Sequence, residues 1–509
     1  MKLFHIVSSV VILGLLASCN LPLEPRPTLV FPTAIPTPTT EMQEQETTVP
    51  PAAPTATDLP LPPVFNPGHM HKGDLVSYVV QGGDTLSALA RRFHTHEQDI
   101  AVLNPWLPNP NTPTTLLPGR ALSIRLAVEP AWEEQAVLLP DYLFVDGPAQ
   151  VGFDISGFVA QSTGWLKDYV DTSTATSRSG AEMVQDFALD YSISPRLLLA
   201  LLEYRLHALS QPNPPDSFSL GSPDSYRTAL SMQLSWAANA LNNGYYGWRL
   251  GRLNQFNTVD GSPILPSPWE NAASIALRYY FSRFLSGQAY QAAVAPTGLV
   301  HTYQALFGNI DWSAASDRPL IPGGLRQPEL TLPFHPGVRW ALTGGPHSGW
   351  GIGDPLAAID FAPPSTTTGC DPSPQWATAV ANGVVARSEN GEVVLDLDGD
   401  GHLQTGWTIL YLHIYQKSAP AVGTHLKTGD LLGHPSCDGG HANGRNLHIA
   451  RLYNGEWIPV GDEAPFVLGG WTAEEGAKEY EGTLRRGDQV VTANPNGEWM
   501  SLIGAGADQ

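Results

Sequence analysis

A chain of 509 residues with 42% hydrophobic content has room for three or four domains with buried cores. Its 27 Lys and Arg stand against 48 Asp and Glu, a net charge of -21 with no basic block, which argues against nucleic acid as a partner. The 3 cysteines are informative by position rather than by number.

Residues 1–19, MKLFHIVSSVVILGLLASC, begin with Lys2 near the start and carry an apolar run, Ile6 to Leu16, too short to span a bilayer. Leu16-Ala17-Ser18-Cys19 resembles the lipobox of bacterial lipoproteins. The resemblance implies cleavage before Cys19, lipidation of that cysteine, and an extracytoplasmic lipoprotein held at the cell envelope by its N-terminal lipid. Residues 20–74 are rich in Pro and Thr, cannot build a core, and read as a disordered spacer.

Residues 75–127 read as a small α+β unit of order βααβ. Tyr78-Val79-Val80 is a strand, Gly82 to Leu86 a turn whose Asp84 or Thr85 caps a helix, and Leu86, Leu89, Ala90 and Phe93 recur at helical spacing. A second short helix holds Ile100 and Leu103, and Pro118-Gly119 turns into a last strand. YVVQGGDTLSALARRF with LN and LLPGRALSI resembles a LysM module. That implies binding to glycans containing N-acetylglucosamine, through Gly83, Asp84, Thr85, Leu86 and the loop after Leu103 that starts at Asn104.

Residues 128–325 read as a mostly α domain. Helix patterns run through AEMVQDFALDYSIS, then from Pro195 through RLLLALLEYRLHAL, then MQLSWAANALNNGYYGW and ENAASIALRYYFSRFL. This region distantly resembles lysozyme-like enzymes, and Glu203 would match their catalytic acid. Tyr204 stands where a Ser follows that Glu, and the glycines around the Gln segment are missing. The favoured reading of Glu203 is therefore an ordinary polar helix residue in a binding or spacer domain, with the glycosidase acid as the other.

Residues 326–509 read as an antiparallel all-β domain, with strand candidates at short intervals between Gly turns. Trp340 to Pro364 contains His347 and, thirteen residues on, Asp360 within the apolar run Ala357-Ala358-Ile359-Asp360-Phe361. A lone carboxylate in such a strand must be paired or bind a cation, because burying it alone is too costly. His448, in NLHIARL, adds a third donor. Three N/O donors leave a fourth position open, the layout of a catalytic rather than a structural zinc site.

GGPHSG, AAIDF, YLHI around His413 and LHI around His448 together resemble lysostaphin-type zinc endopeptidases that cut bacterial cell walls, and most of all their β-lytic branch. The resemblance covers about Pro333 to Val467. It implies Zn²⁺ on His347, Asp360 and His448, and two histidines as donors to the oxyanion. One matches His413; at the other this chain has Asn446, which keeps an amide donor but loses a titratable group. His441 lies near enough in sequence to stand in. Two functions stay open: a zinc metalloendopeptidase that cleaves peptidoglycan peptides and is targeted by LysM, or an inactive peptidoglycan-binding scaffold or activator of other wall hydrolases.

Cys370 and Cys437 fall in loops of this domain and, outside the cytoplasm, are expected to pair. Asp396, Asp398 and Asp400 begin like a calcium loop, but Trp407 stands where its bidentate Glu belongs. They read as a hairpin turn, with calcium the other reading. The tail from Gly470 reads as added strand without chemistry of its own.

Overall fold

The computed structural model describes residues 64–65, 70–107, 114–132, 135–173, 177–312, 319–365, 369–461 and 464–504. The signal segment with Cys19 and nearly all of the spacer lie outside the described residues. No helix among the described residues is long and apolar enough to cross a membrane.

The βααβ unit forms as its pattern dictates. Strands β1 (Leu75–Val79) and β2 (Ala121–Arg125) pair antiparallel with Val76 facing Ile124 and Tyr78 facing Leu122. Helix α1 (Leu86–Arg92) starts at Thr85, whose hydroxyl accepts the Ala88 N–H at 3.1 Å, and α2 is Glu97–Leu103. Tyr78, Leu89, Phe93, Ile100, Leu122 and Ile124 make the unit's own core.

Four longer helices follow: α3 (Gly180–Tyr191), α4 (Pro195–Leu206), α5 (Leu230–Arg249) and α6 (Ala272–Ser282). Helix α3 opens with a capping box between Ser179 and Glu182, and α4 places Pro195 in its first turn.

The C-terminal region is built on a nine-stranded sheet, antiparallel at every described pairing. Its strands are β3 (Arg339–Ser348), β4 (Leu356–Ala362), β5 (Gly383–Glu389), β6 (Glu392–Asp396), β7 (Trp407–Leu412), β8 (His425–Leu426), β9 (Leu447–Tyr453), β10 (Glu456–Trp457) and, from the tail, β15 (Leu502–Gly504). The spatial order is β8-β5-β6-β7-β9-β4-β3-β15, with β10 on β9. Residues 467–492 form a second, four-stranded sheet: β11 (Val467–Leu468), β12 (Trp471–Glu475), β13 (Gly482–Arg486) and β14 (Gln489–Thr492).

Side chains alternate across a strand, so the central strands β4, β6, β7 and β9 feed two cores. Ile359, Phe361, Val393, Leu395, Ile409, Tyr411 and Ile449 pack in a core internal to the C-terminal region. Ala358, Val394, Leu410, Ala450 and Leu452 join the core of the helices. The sequence boundary near residue 325 is thus no break in packing. Cys370 and Cys437 form the expected disulfide.

Candidate metal centre

Asp360 on β4 and His448 on β9 are direct partners across adjacent antiparallel strands, and Leu412, next to His413, pairs with His448 from the other side. Asp360 lies opposite Gly344 of β3, and His347 lies further along β3 past a register irregularity. A Cβ on Gly344 would stand 2.5 Å from Asp360 Oδ2, so only glycine leaves room for the carboxylate. Their parity with Ala358 and Ala450 puts Asp360 and His448 on the sheet face that shares a core with the helices, and His347 is covered by Tyr480; all three are buried.

The donor atoms converge. His347 Nε2 and His448 Nδ1 are 3.0 Å apart, and Asp360 Oδ1 is 3.4 and 3.3 Å from them. The outer nitrogens each face a backbone carbonyl: His347 Nδ1 is 2.8 Å from Gly345 O and His448 Nε2 is 3.1 Å from Gly349 O. A carbonyl can only accept, so those nitrogens carry the protons and the inner pair presents lone pairs. Two lone pairs and a carboxylate oxygen aimed at one point need positive charge between them. Asp360 Oδ1 is buried with no hydrogen-bond partner, which fits a metal ligand. Two imidazoles and one carboxylate suit Zn²⁺, with borderline and hard donors and a place left open.

The electrostatics follow. Burial disfavours charge on Asp360, but the two imidazoles outweigh it and hold the carboxyl well below its ordinary range. Burial disfavours charge on His347 too, yet Asp360 outweighs it and the imidazole sits above its ordinary value.

His413 lies at the rim, its ring centroid 6.4 Å from that of His448, with a left-handed backbone (φ 68°). Its Nδ1 donates to Asp438 O at 3.2 Å, which leaves Nε2 as an acceptor. Burial first, then His448, lowers it to about 4, so it is neutral at pH 7. Asn446 leads into β9 two residues before His448; its Oδ1 is buried without a hydrogen-bond partner. His441 is exposed.

The tail, read as inert, contributes to this centre. Tyr480, between β12 and β13, stacks on His347 with centroids 4.1 Å apart and planes at 17°. Glu479 Oε1 accepts the Gly353 N–H at 2.6 Å. Helix α5 holds the same 349–354 loop from its other side: Asn239 Oδ1 accepts the Ile352 N–H at 2.8 Å, and Asn243 bonds Asp354 N at 3.0 Å and Ile352 O at 2.9 Å. No local pattern in the sequence announces these partners.

Other expected residues are placed as follows. Glu203 closes the turn after α4, accepting from Leu209 N at 2.7 Å and Ser210 Oγ at 2.5 Å. Asp396 takes N–H bonds from Asp398, Gly399 and Gly401, and Asp400 bonds His402 N and Thr405 Oγ1; the acidic loop spends its carboxylates on its own turn. Gly83, Asp84, Thr85, Leu86 and Asn104 are buried. Asp84 accepts from Tyr78, Gln81 and Arg92, and Asn104 bonds both Ile100 O and the Ser123 backbone.

Residues 78–125 match the family described as LysM domain, and residues 137–317 match the family described as LasA, N-terminal domain. The second match covers most of the region read as distantly lysozyme-like. With the residues around the metal centre, the two matches point to one class: the chain is similar to LysM-containing peptidases of the lysostaphin type. It is similar to Protease LasA of Pseudomonas aeruginosa, 24% identical over 387 residues that span 73% of this chain and 86% of the relative. Among solved structures it is similar to the M23 metalloprotease pseudoalterin from the deep sea, at 23% identity and TM-score 0.28, over 33% of this chain and 96% of that one. It is also similar to the catalytic domain of lysostaphin from Staphylococcus simulans, at 18% identity and TM-score 0.16, over 25% of this chain and 89% of that one.

Proposed function

We propose that the protein is an extracytoplasmic zinc endopeptidase that cleaves peptide bonds of bacterial peptidoglycan, with LysM supplying affinity for the glycan strands. The convergence of His347 Nε2, Asp360 Oδ1 and His448 Nδ1, all acceptors, carries this reading. Zn²⁺ held there would supply Lewis-acid polarisation of the scissile carbonyl. The rest falls to the chain's own groups. Neutral His413, fixed through Nδ1 by Asp438 O, offers Nε2 to take a proton. Asn446 offers an amide but no titratable proton. Tyr480 walls the His347 ring. The Leu16–Cys19 lipobox supports a lipid anchor on the outer face of a membrane, and tethering catalyst and binder in one chain raises local substrate concentration.

A zymogram on purified peptidoglycan tests the reading. Clearing that is abolished by a chelator and restored by Zn²⁺ supports it. A wild type that binds one zinc yet releases no peptide from any cross-linked substrate would overturn it.

A further inference from the structure

We propose that the LysM unit is latched shut in this chain: the loops expected to meet glycan are sealed against the helical body, and glycan binds only after LysM swings away. The inference rests on the reading of LysM as a module for N-acetylglucosamine glycans.

The seal is specific at two places, Gly82-Gly83 on the first loop and Thr115 on the described part of the second. On the first, the Arg249 guanidinium at the end of α5 lies across Gly82-Gly83 and donates to Gly82 O. A Cβ on Gly83, which also has φ +78°, would fall 1.7 Å from Arg249. A Cβ on Gly82 would lie 2.8 Å from Pro319 Cβ. On the second, Thr115 bonds Pro322 O at 2.7 Å, and accepts Leu325 N at 3.0 Å on its hydroxyl and Gly324 N at 2.9 Å on its carbonyl. Asp84, Thr85 and Asn104 are buried by bonds within the unit itself, so what the docking covers is the backbone at Gly82-Gly83 and Thr115.

The body gains from the docking as well. A helix ends with carbonyls that lack intrahelical partners and with a negative dipole end. At the end of α5, Arg92 donates to Trp248 O at 3.1 Å and to Arg249 O at 3.2 Å, and Arg91 donates to Leu250 O at 2.7 Å. Two LysM arginines thus cap α5. Water can replace these polar bonds on separation, but separation also uncovers Phe93 from Trp269, 5.0 Å away edge-on, so the docked form is the favoured one. Arg249 also pairs with Glu456 on β10 at 2.8 Å, which ties the latch to the sheet that carries the metal centre.

A site open only part of the time binds with its affinity divided by the open fraction; an open fraction of about 1% weakens apparent binding about 100-fold. By linkage, saturating glycan must favour the undocked form.

The test uses the full chain and a tetramer of β-1,4-linked N-acetylglucosamine, titrated by calorimetry. Pro319→Trp adds bulk on the body where a Cβ on Gly82 would already lie 2.8 Å from Pro319 Cβ, and should hold the latch open. We expect it to bind at least about 3-fold more tightly than wild type. Arg91→Ala, which removes one cap from α5, should tighten apparent binding about 3-fold. No gain in Pro319→Trp or no gain in Arg91→Ala overturns the latch and leaves the LysM reading standing. No binding by any form, both variants included, overturns the LysM reading and the latch with it.

Discussion

Tyr480 lies flat on His347, ring on ring at 4.1 Å, although the two come from different sheets. Tyr480 has a left-handed backbone (φ 68°), and its N–H and C=O are both tied to the His347 strand, through Pro346 O at 3.1 Å and Gly345 N at 2.8 Å. A strained residue held by its neighbours on both sides is a support for the ring it covers.

Tyr480→Phe should keep this support and Tyr480→Ala should lose it. Aromatic pairs of this kind contribute about 0.5–1.5 kcal/mol, so the alanine variant should bind Zn²⁺ several-fold more weakly in a chelator competition. The phenylalanine variant should bind as wild type, and any fall in its turnover then belongs to the hydroxyl. Equal zinc affinity in all three would remove the supporting role.

Within the centre, three substitutions should part ways. His347→Ala should lose zinc and keep the β-sheet spectrum, because the donors sit on a core that packs without them. His413→Ala should keep zinc and lower turnover by about 10²–10⁴, the range for a lost proton-transfer group. Asn446→His should raise turnover by restoring a titratable donor. Metal content by atomic spectroscopy and peptide release from peptidoglycan separate these outcomes; loss of zinc in His413→Ala would contradict its assignment.

Asp146 gives a pH dependence outside the metal centre. It is buried, accepts from Gln404 Nε2 at 3.1 Å, and burial raises it to about 7. The folded state therefore binds its proton more tightly than the unfolded state does. The stability it contributes is full below about pH 4 and is lost as pH rises through about 7. At about 1.4 kcal/mol per pH unit the loss is of the order of a few kcal/mol. Asp146→Asn should shrink the fall in the unfolding midpoint between pH 5 and pH 8, chiefly by stabilising the protein at pH 8. An unchanged difference between the two pH values would show that Asp146 does not carry it.

Cys19 lies outside the described residues, and its role rests on the lipobox. Cys19→Ala should move the protein from the membrane fraction to the medium. Membrane fractionation unchanged from wild type would count against the anchor.

What was legible in the sequence was local. The apolar run around Asp360, the alternation around His448 and the helical spacing after Gly83 are written in consecutive residues, so these strands and the first helix could be read directly, while the LysM module was legible through its resemblance. The long helices declared themselves by apolar spacing and by Pro195. What could not be read came from distant segments: Tyr480 from the tail, Asn239 and Asn243 from α5, and the helical face that meets Ala358 and Leu410. Side-chain chemistry at Asp84 and Asn104 was legible, but not that their oxygens are spent inside the unit. Glu203 looked like a candidate acid because spacing cannot show that Leu209 and Ser210 turn back onto its carboxylate.

Both imidazoles of the metal centre are oriented by the main chain, at Gly345 and Gly349, not by side chains. A carboxylate partner could be exchanged by one codon change, tuning the donor strength of the histidine behind it. A carbonyl cannot be exchanged that way. These two hydrogen bonds are therefore insulated from side-chain drift within the 345–354 segment, where evolution can retune them mainly by insertion or deletion. Point-mutation libraries should find few variants of intermediate zinc affinity there, and loop-length libraries should find more.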